Sequence, residues 1–181
     1  MSSARGDYPV AEMEVTGEVV GAVAAGVETF STESRAAARA ILDERGISTA
    51  EPGEWYPLSA FVAAIDALHD LVGDHAVHAL GQRIARAVSF PTEPGDVPEA
   101  LTALDEVCRD QHRGGDVGGY SFRQIGDADG RIECHTPYAC AFDRGVVEGT
   151  AVAHADGFVC VCEVGACRSE GADRCTYEVS W

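Results

Sequence analysis

Six of the seven cysteines of this 181-residue chain fall between positions 134 and 175. A chain without an export signal keeps its thiols reduced. Clustered cysteines in that setting favour a bound metal over disulfides. Within the cluster, Cys140, Glu163, Cys167 and Cys175 form a candidate ligand set. Cys140 falls at the start of an expected helix, Glu163 at the end of an expected strand, and Cys167 and Cys175 around a short glycine-containing loop. Thiolates are soft donors suited to zinc, and four ligands close a tetrahedron with no position left to activate water. Such a centre ties helix to strands and supplies on the order of 10 kcal/mol of folding free energy in small modules. Zinc is therefore the expected cofactor, in a structural role.

The charge balance narrows the partners. Thirty acidic residues oppose thirteen basic ones, giving a net charge of −17. Every basic residue is an arginine, and the chain has no lysine and no asparagine. An acidic surface repels phosphates, so direct nucleic-acid binding is not expected. The acids are scattered rather than run together, as in a halophilic protein whose surface repulsion is screened by molar salt. No apolar run approaches the ~20 residues of a membrane span, and residues 1–14 lack the apolar core of a signal peptide. The expected location is the cytoplasm, without membrane contact.

Patterning along the chain predicts an α+β fold in one domain. Residues 1–15 read as a flexible polar lead, 16–115 as a mainly helical half, and 116–181 as a hairpin with the cysteine-rich module. Residues 16–30 suit either a strand or a short helix. Ser31 or Thr32 is placed to cap a helix that Gly46 ends. Leu58, Phe61, Val62, Ile65 and Leu68 recur at helical spacing. Gly73 and Asp74 break that helix, and another is expected over 75–87. A third covers 98–112, with Leu101, Leu104 and Val107/Cys108 inward. Strands at 120–125 and 131–135 flank the turn Asp127-Ala128-Asp129-Gly130. A helix over 140–153 and strands at 158–164 and 175–181 complete the expectation: a helical half packed on a small antiparallel sheet, with a zinc-stapled helix–strand–strand module.

The segment from Pro137 to Trp181 resembles the 4-vinyl-reductase domain family, which includes predicted hydrocarbon-binding proteins and the sensory domains of phenol-responsive regulators. Cys140, Gly145, Gly149, Glu163, Cys167, Gly171 and Cys175 follow the family order. The resemblance covers residues 134–181 well and 55–115 loosely. It implies that Cys140, Glu163, Cys167 and Cys175 bind zinc. Three residues, Val164, Gly165 and Ala166, separate Glu163 from Cys167, one more than the family pattern. That leaves a bulge at Gly165 or Cys162 as the ligand in place of Glu163. Strand alternation sets residues 162 and 163 on opposite faces.

The resemblance implies a sensor or carrier of a small apolar or aromatic molecule, reporting through a homodimer or a regulatory partner. Trp55, Tyr56, Phe61, Phe90, Tyr120, Phe122 and Tyr138 are the aromatics available to line its pocket. The alternatives are an accessory subunit in reduction of a tetrapyrrole vinyl group and a haem or redox sensor. His75 and His78, spaced i, i+3, could present two imidazoles to a metal or haem. Cys160 and Cys162, two apart on a strand, read as packing residues or as a redox pair. No P-loop lysine, dinucleotide fingerprint or nucleophile elbow is present, so the chain reads as a binding domain rather than an enzyme.

Overall fold

The computed structural model describes residues 8–181. Among these residues, six α-helices and seven strands run in the order β1 (Glu14–Thr16), α1 (Gly17–Val27), α2 (Thr32–Asp43), β2 (Trp55–Pro57), α3 (Leu58–Gln82), α4 (Ile84–Ala87), α5 (Val97–Asp110), β3 (His112–Arg113), β4 (Gly119–Gln124), β5 (Asp129–His135), α6 (Cys140–His154), β6 (Cys160–Glu163) and β7 (Cys175–Ser180). Two antiparallel sheets form, one of order β2-β1-β3 and one of order β4-β5-β7-β6. The expected α+β class is what the chain adopts.

Local signals explain most boundaries. The Ser31 hydroxyl accepts from the Ser34 amide to open α2. Asp96 accepts from the Glu99 amide at 2.9 Å to open α5, with Pro98 in its first turn. Leu58, Phe61, Val62, Ile65 and Leu68 are all buried, as their spacing requires. Gly73 adopts a φ of 76°, a conformation that glycine enters freely. It interrupts α3 with a non-helical residue where a break was expected, so two helical stretches meet at Gly73. The hairpin of β4 and β5 closes through the Asp129 carbonyl, which accepts from the amides of Ile125 and Gly126 at 2.9 and 3.0 Å.

One reading is corrected, and one left open is resolved. Residues 8–15 are not a flexible lead. Val10–Glu12 make a 3₁₀ turn, Met13 and Val15 are buried, and β1 is the central strand of its sheet. Residues 1–7 of the expected lead lie outside the described residues. The ambiguous stretch after residue 16 is α1, whose Val19, Val20, Val23 and Val27 enter the core.

Helix α6 packs along α3 at unusually short range, and glycines make this possible. A β-carbon on Gly145 would lie 2.1 Å from the His78 carbonyl oxygen, and one on Gly81 would lie 2.2 Å from that of Phe142. Only residues without side chains let two helix backbones meet this closely. His78 Nε2 and Gln82 Nε2 then reach the Glu148 carboxylate across the same contact, at 3.1 and 2.9 Å.

Candidate functional site

The α3–α6 contact sets α6 between two features of different chemistry. Along its length, Phe142, Val146 and Thr150 face an apolar cavity of about 40 Å³. At its first residue, Cys140 joins a cluster of thiols.

The cavity is bounded by Val19 of α1, by Ile84, Ala85 and Val88 around α4, by Phe90, and by Leu104, Val107 and Cys108 of α5. Its polar edge is Gln111, His112, Tyr120 and Tyr138. His112 Nδ1 donates to the Cys108 carbonyl at 2.6 Å, which leaves Nε2 to accept from the Tyr138 hydroxyl. Burial pushes the His112 pKa below its ordinary value, opposed by the Cys108 hydrogen bond. The imidazole is thus held neutral with both nitrogens engaged. At the other end, Thr150 Oγ1 is buried without a hydrogen-bond partner among the described residues. A ligand in the cavity meets apolar walls, one histidine–tyrosine couple and one unsatisfied hydroxyl.

Of the aromatics expected to line a pocket, Phe90, Tyr120 and Tyr138 do so. Phe61 is fully buried, edge-on to Tyr138 and Phe142 at ring-centroid distances of 5.7 and 6.3 Å. The other three are elsewhere. Trp55 lies under the Arg113 guanidinium at 4.4 Å, the Tyr56 hydroxyl accepts from the Glu51 amide, and Phe122 packs on Trp181. The histidines on α3 do not converge, since His75 is exposed, His78 binds Glu148 and His69 binds Asp74.

The thiol cluster unites Cys140, Cys167 and Cys175, whose sulfurs all lie within 4.8 Å of one another. Sγ of Cys167 and Cys175 are 2.9 Å apart. Hydrogen bonding from Cys140 and then Cys167, with the Arg168 amide, pulls the Cys175 pKa well below that of a free thiol, against desolvation. Cys140 is pushed up by its hydrogen bond to Cys175 and by burial, and Cys167 by burial and then Cys175, so one thiol of the three carries the thiolate character. The donors are soft, which suits zinc or another thiophilic ion. Neither Glu163 nor Cys162 belongs to this close group. Glu163 stands opposite Tyr177 in the β6–β7 ladder and Cys162 opposite Glu178. Alternation therefore gives Glu163 the face shared with Tyr177 and Cys175, and turns Cys162 to the other face.

Beneath the thiols lies a buried polar network that the sequence reading misses. Arg168 NH2 pairs with the Asp143 carboxylate, NH1 donates to the Thr136 carbonyl, and NH2 also reaches the Tyr138 carbonyl at 3.2 Å. The Tyr120 and Thr136 hydroxyls donate to Asp143 at 2.8–2.9 Å. Asp143 is fully buried and Arg168 nearly so. Burial raises the Asp143 pKa, while Arg168 and the two hydroxyls oppose the rise. The network joins the loop after Cys167 to α6 and to the cavity wall at Tyr120 and Tyr138. No periodic signal marks Arg168, which sits in a polar loop. His112 does carry one: it lies four residues beyond Cys108 and continues the inward stripe of α5.

This arrangement of sheets and helices is that of the H-NOX proteins. An H-NOX protein from S. oneidensis in the Fe(II)NO ligation state aligns with a TM-score of 0.66 at 13% identity, covering 91% of this chain and 98% of that one. A Cs H-NOX mutant carrying the unnatural amino acid 4-cyano-L-phenylalanine aligns with a TM-score of 0.66 at 14% identity, covering 91% and 95%. A further H-NOX structure, with a TM-score of 0.65 at 14% identity over 92% of this chain and 94% of that one, concerns haem distortion in that family. At these identities the likeness establishes the shared fold. No family model matches the chain, and no curated protein matches it in sequence.

Haem itself is a poor fit to the cavity as folded. Pockets for drug-sized ligands run to roughly 300–1,000 Å³, whereas this one encloses about 40 Å³. The one histidine on its wall has its free lone pair occupied by Tyr138.

Proposed function

We propose that the chain is a small-molecule sensing domain built on the H-NOX fold, with a structural zinc at the thiol cluster and an apolar ligand in the cavity. The observation that carries this reading is the cavity. It is apolar, walled on one side by α6, and its polar groups are few, chiefly His112, Tyr138 and Thr150. Entry of an apolar molecule would gain roughly 25 cal/mol per Å² of surface removed from water. The present volume suits a water-sized or diatomic molecule, and a larger aromatic requires the α4–Phe90 wall to move outward. The thiol cluster holds the N-terminal end of α6 through Cys140, Cys167 and Cys175, with Glu163 completing the zinc shell from its side of β6. Occupancy of the cavity biases the position of α6, and a partner protein or a second copy reads that bias. No catalytic constellation adjoins the cavity among the described residues, so binding rather than turnover is the proposed activity.

Haem is the second reading. The fold shared with haem-studied H-NOX structures favours it, as does a half-buried histidine on the cavity wall. Haem would require the cavity to open and His112 to give up Tyr138, since the lining as folded does not fit the group.

One experiment separates the readings. The purified protein is examined for absorption near the Soret region before and after addition of haemin. In parallel, small aromatic and aliphatic compounds are screened for thermal stabilisation. Stabilisation by an apolar compound without haem uptake supports the principal reading. Stoichiometric haem uptake lost in His112→Ala supports the second. Absence of both removes the sensor function.

A further inference from the structure

Cys160 and Cys162 are not packing residues. Both are exposed, while Val161 between them is buried. Two residues apart on β6, they project from one face of the strand, and their sulfurs approach to 3.3 Å. The other cysteines are accounted for differently. Cys108 and Cys134 are buried in the core, and Cys140, Cys167 and Cys175 form the thiol cluster. The chain thus keeps one pair of thiols open to solvent, already in van der Waals contact.

We propose that Cys160 and Cys162 form a surface dithiol that closes to a disulfide by exchange with a low-molecular-weight disulfide. One thiolate of the pair attacks a sulfur of the external disulfide. That S–S bond breaks, the departing thiolate takes a proton from water, and the protein holds a mixed disulfide. The second cysteine loses its proton to water and attacks the protein sulfur of the mixed bond. A Cys160–Cys162 bond forms and a second external thiol leaves. The protein gives up two electrons and two protons, and the external disulfide is reduced to two thiols.

The backbone permits this closure and makes it reversible. A strand rise of about 3.3 Å per residue separates the two α-carbons by roughly 6.6 Å, near the upper end of the roughly 4.4–6.8 Å spanned by disulfides. Closing the bond therefore needs a slight buckle. Strand β6 is at the edge of its sheet, paired among the described residues with β7 alone, so its outer side is free to yield. Exposed disulfides formed under such strain are the readily reduced, regulatory kind.

The test uses the full-length, metal-loaded protein equilibrated with excess oxidised glutathione, then alkylated and mapped by peptide mass analysis. The expected result is a peptide lighter by two hydrogens, carrying a bond between Cys160 and Cys162, with the other five cysteines recovered as thiols after unfolding. Cys160→Ser and Cys162→Ser should each retain one glutathione as a stable mixed disulfide. Undiminished alkylation of both cysteines after oxidation overturns the proposal, as does a wild-type protein that keeps glutathione adducts without closing. A second bound zinc, lost in either serine variant, would assign the pair to a metal instead and equally overturn it.

Discussion

Gly145 on α6 lies against the carbonyl of His78 on α3 so closely that a β-carbon would sit 2.1 Å from the oxygen. The contact is backbone to backbone, so no side chain can turn aside to relieve it. Gly145→Ala gains about 1 kcal/mol of helix propensity but forces the helices apart, and overpacking of this kind costs about 1–3 kcal/mol or more. A net loss of up to about 2 kcal/mol is expected in urea unfolding. Gly21→Ala on α1, whose β-carbon would meet only the Ala50 carbonyl at 3.6 Å, should be neutral or slightly stabilising. Equal effects at the two sites would show that α3 and α6 do not cross as described.

The Asp143–Arg168 pair is buried on both sides, with side-chain exposures of 0% and 7%. Removing one partner leaves the other charged and dry, which costs about 3–5 kcal/mol. Asp143→Ala should therefore destabilise strongly, whereas Glu133→Ala should lie within about 1 kcal/mol of wild type, since its pair with Arg174 is largely exposed. Denaturant midpoints of the two variants decide the matter.

His112 gives stability a pH dependence of known sign. Its pKa in the folded chain is lowered by burial, below the ordinary value of about 6.5. Above that pH neither state binds the proton. As pH falls below it, the unfolded chain takes up a proton that the folded chain refuses, so stability is lost by up to about 1.4 kcal/mol per pH unit until the folded pKa is reached. His112→Gln, which keeps a donor and an acceptor, should show a shallower decline as pH falls below about 6.5. Parallel curves for the two proteins would refute a half-buried neutral imidazole.

Cysteines 134 and 175 face each other in the β5–β7 ladder, yet only Cys175 belongs to the thiol cluster. If the proposed zinc is bound there, Cys175→Ser should abolish its binding and lower the melting temperature far more than Cys134→Ser, which should leave metal binding intact. A chelator should reproduce the first effect in the wild-type protein and add nothing to the Cys175 variant. Metal analysis with calorimetry reads both.

The elements were legible in the sequence where periodicity and punctuation agreed. The stripe Leu58, Phe61, Val62, Ile65 and Leu68 marked α3, and the turn at Asp127–Gly130 marked the hairpin. Cys167 and Cys175 were legible from their placement around a glycine-containing loop, and Cys140 from its place at the start of a helix. The cavity was only partly so, because an aromatic carries no mark of which side of a helix or sheet it will occupy. Phe90 and Tyr138 reached the wall, while Trp55 found Arg113 instead. The Asp143–Arg168 pair was invisible, since its members are 25 residues apart and each resembles an ordinary surface charge. Cys160 and Cys162 were read mainly as packing, and the outward turn of their strand face shows otherwise.

Helix α6, 15 residues long and so about 22 Å from end to end, is fastened unevenly. Its first turn carries Cys140 and Asp143, gripped by the thiols and by Arg168. Its last turn, at His154, meets the ring of Phe90, edge-on at 5.5 Å, and its own Thr150 carbonyl. Its middle is held against α3 at Gly145 and Glu148, so only the stretch beyond that contact is free to swing. Whatever swells the cavity beside Val146 and Thr150 will move the clamped end least and the His154 end most. The displacement is delivered to the Phe90 segment and to the turn leading into β6, away from the thiol cluster.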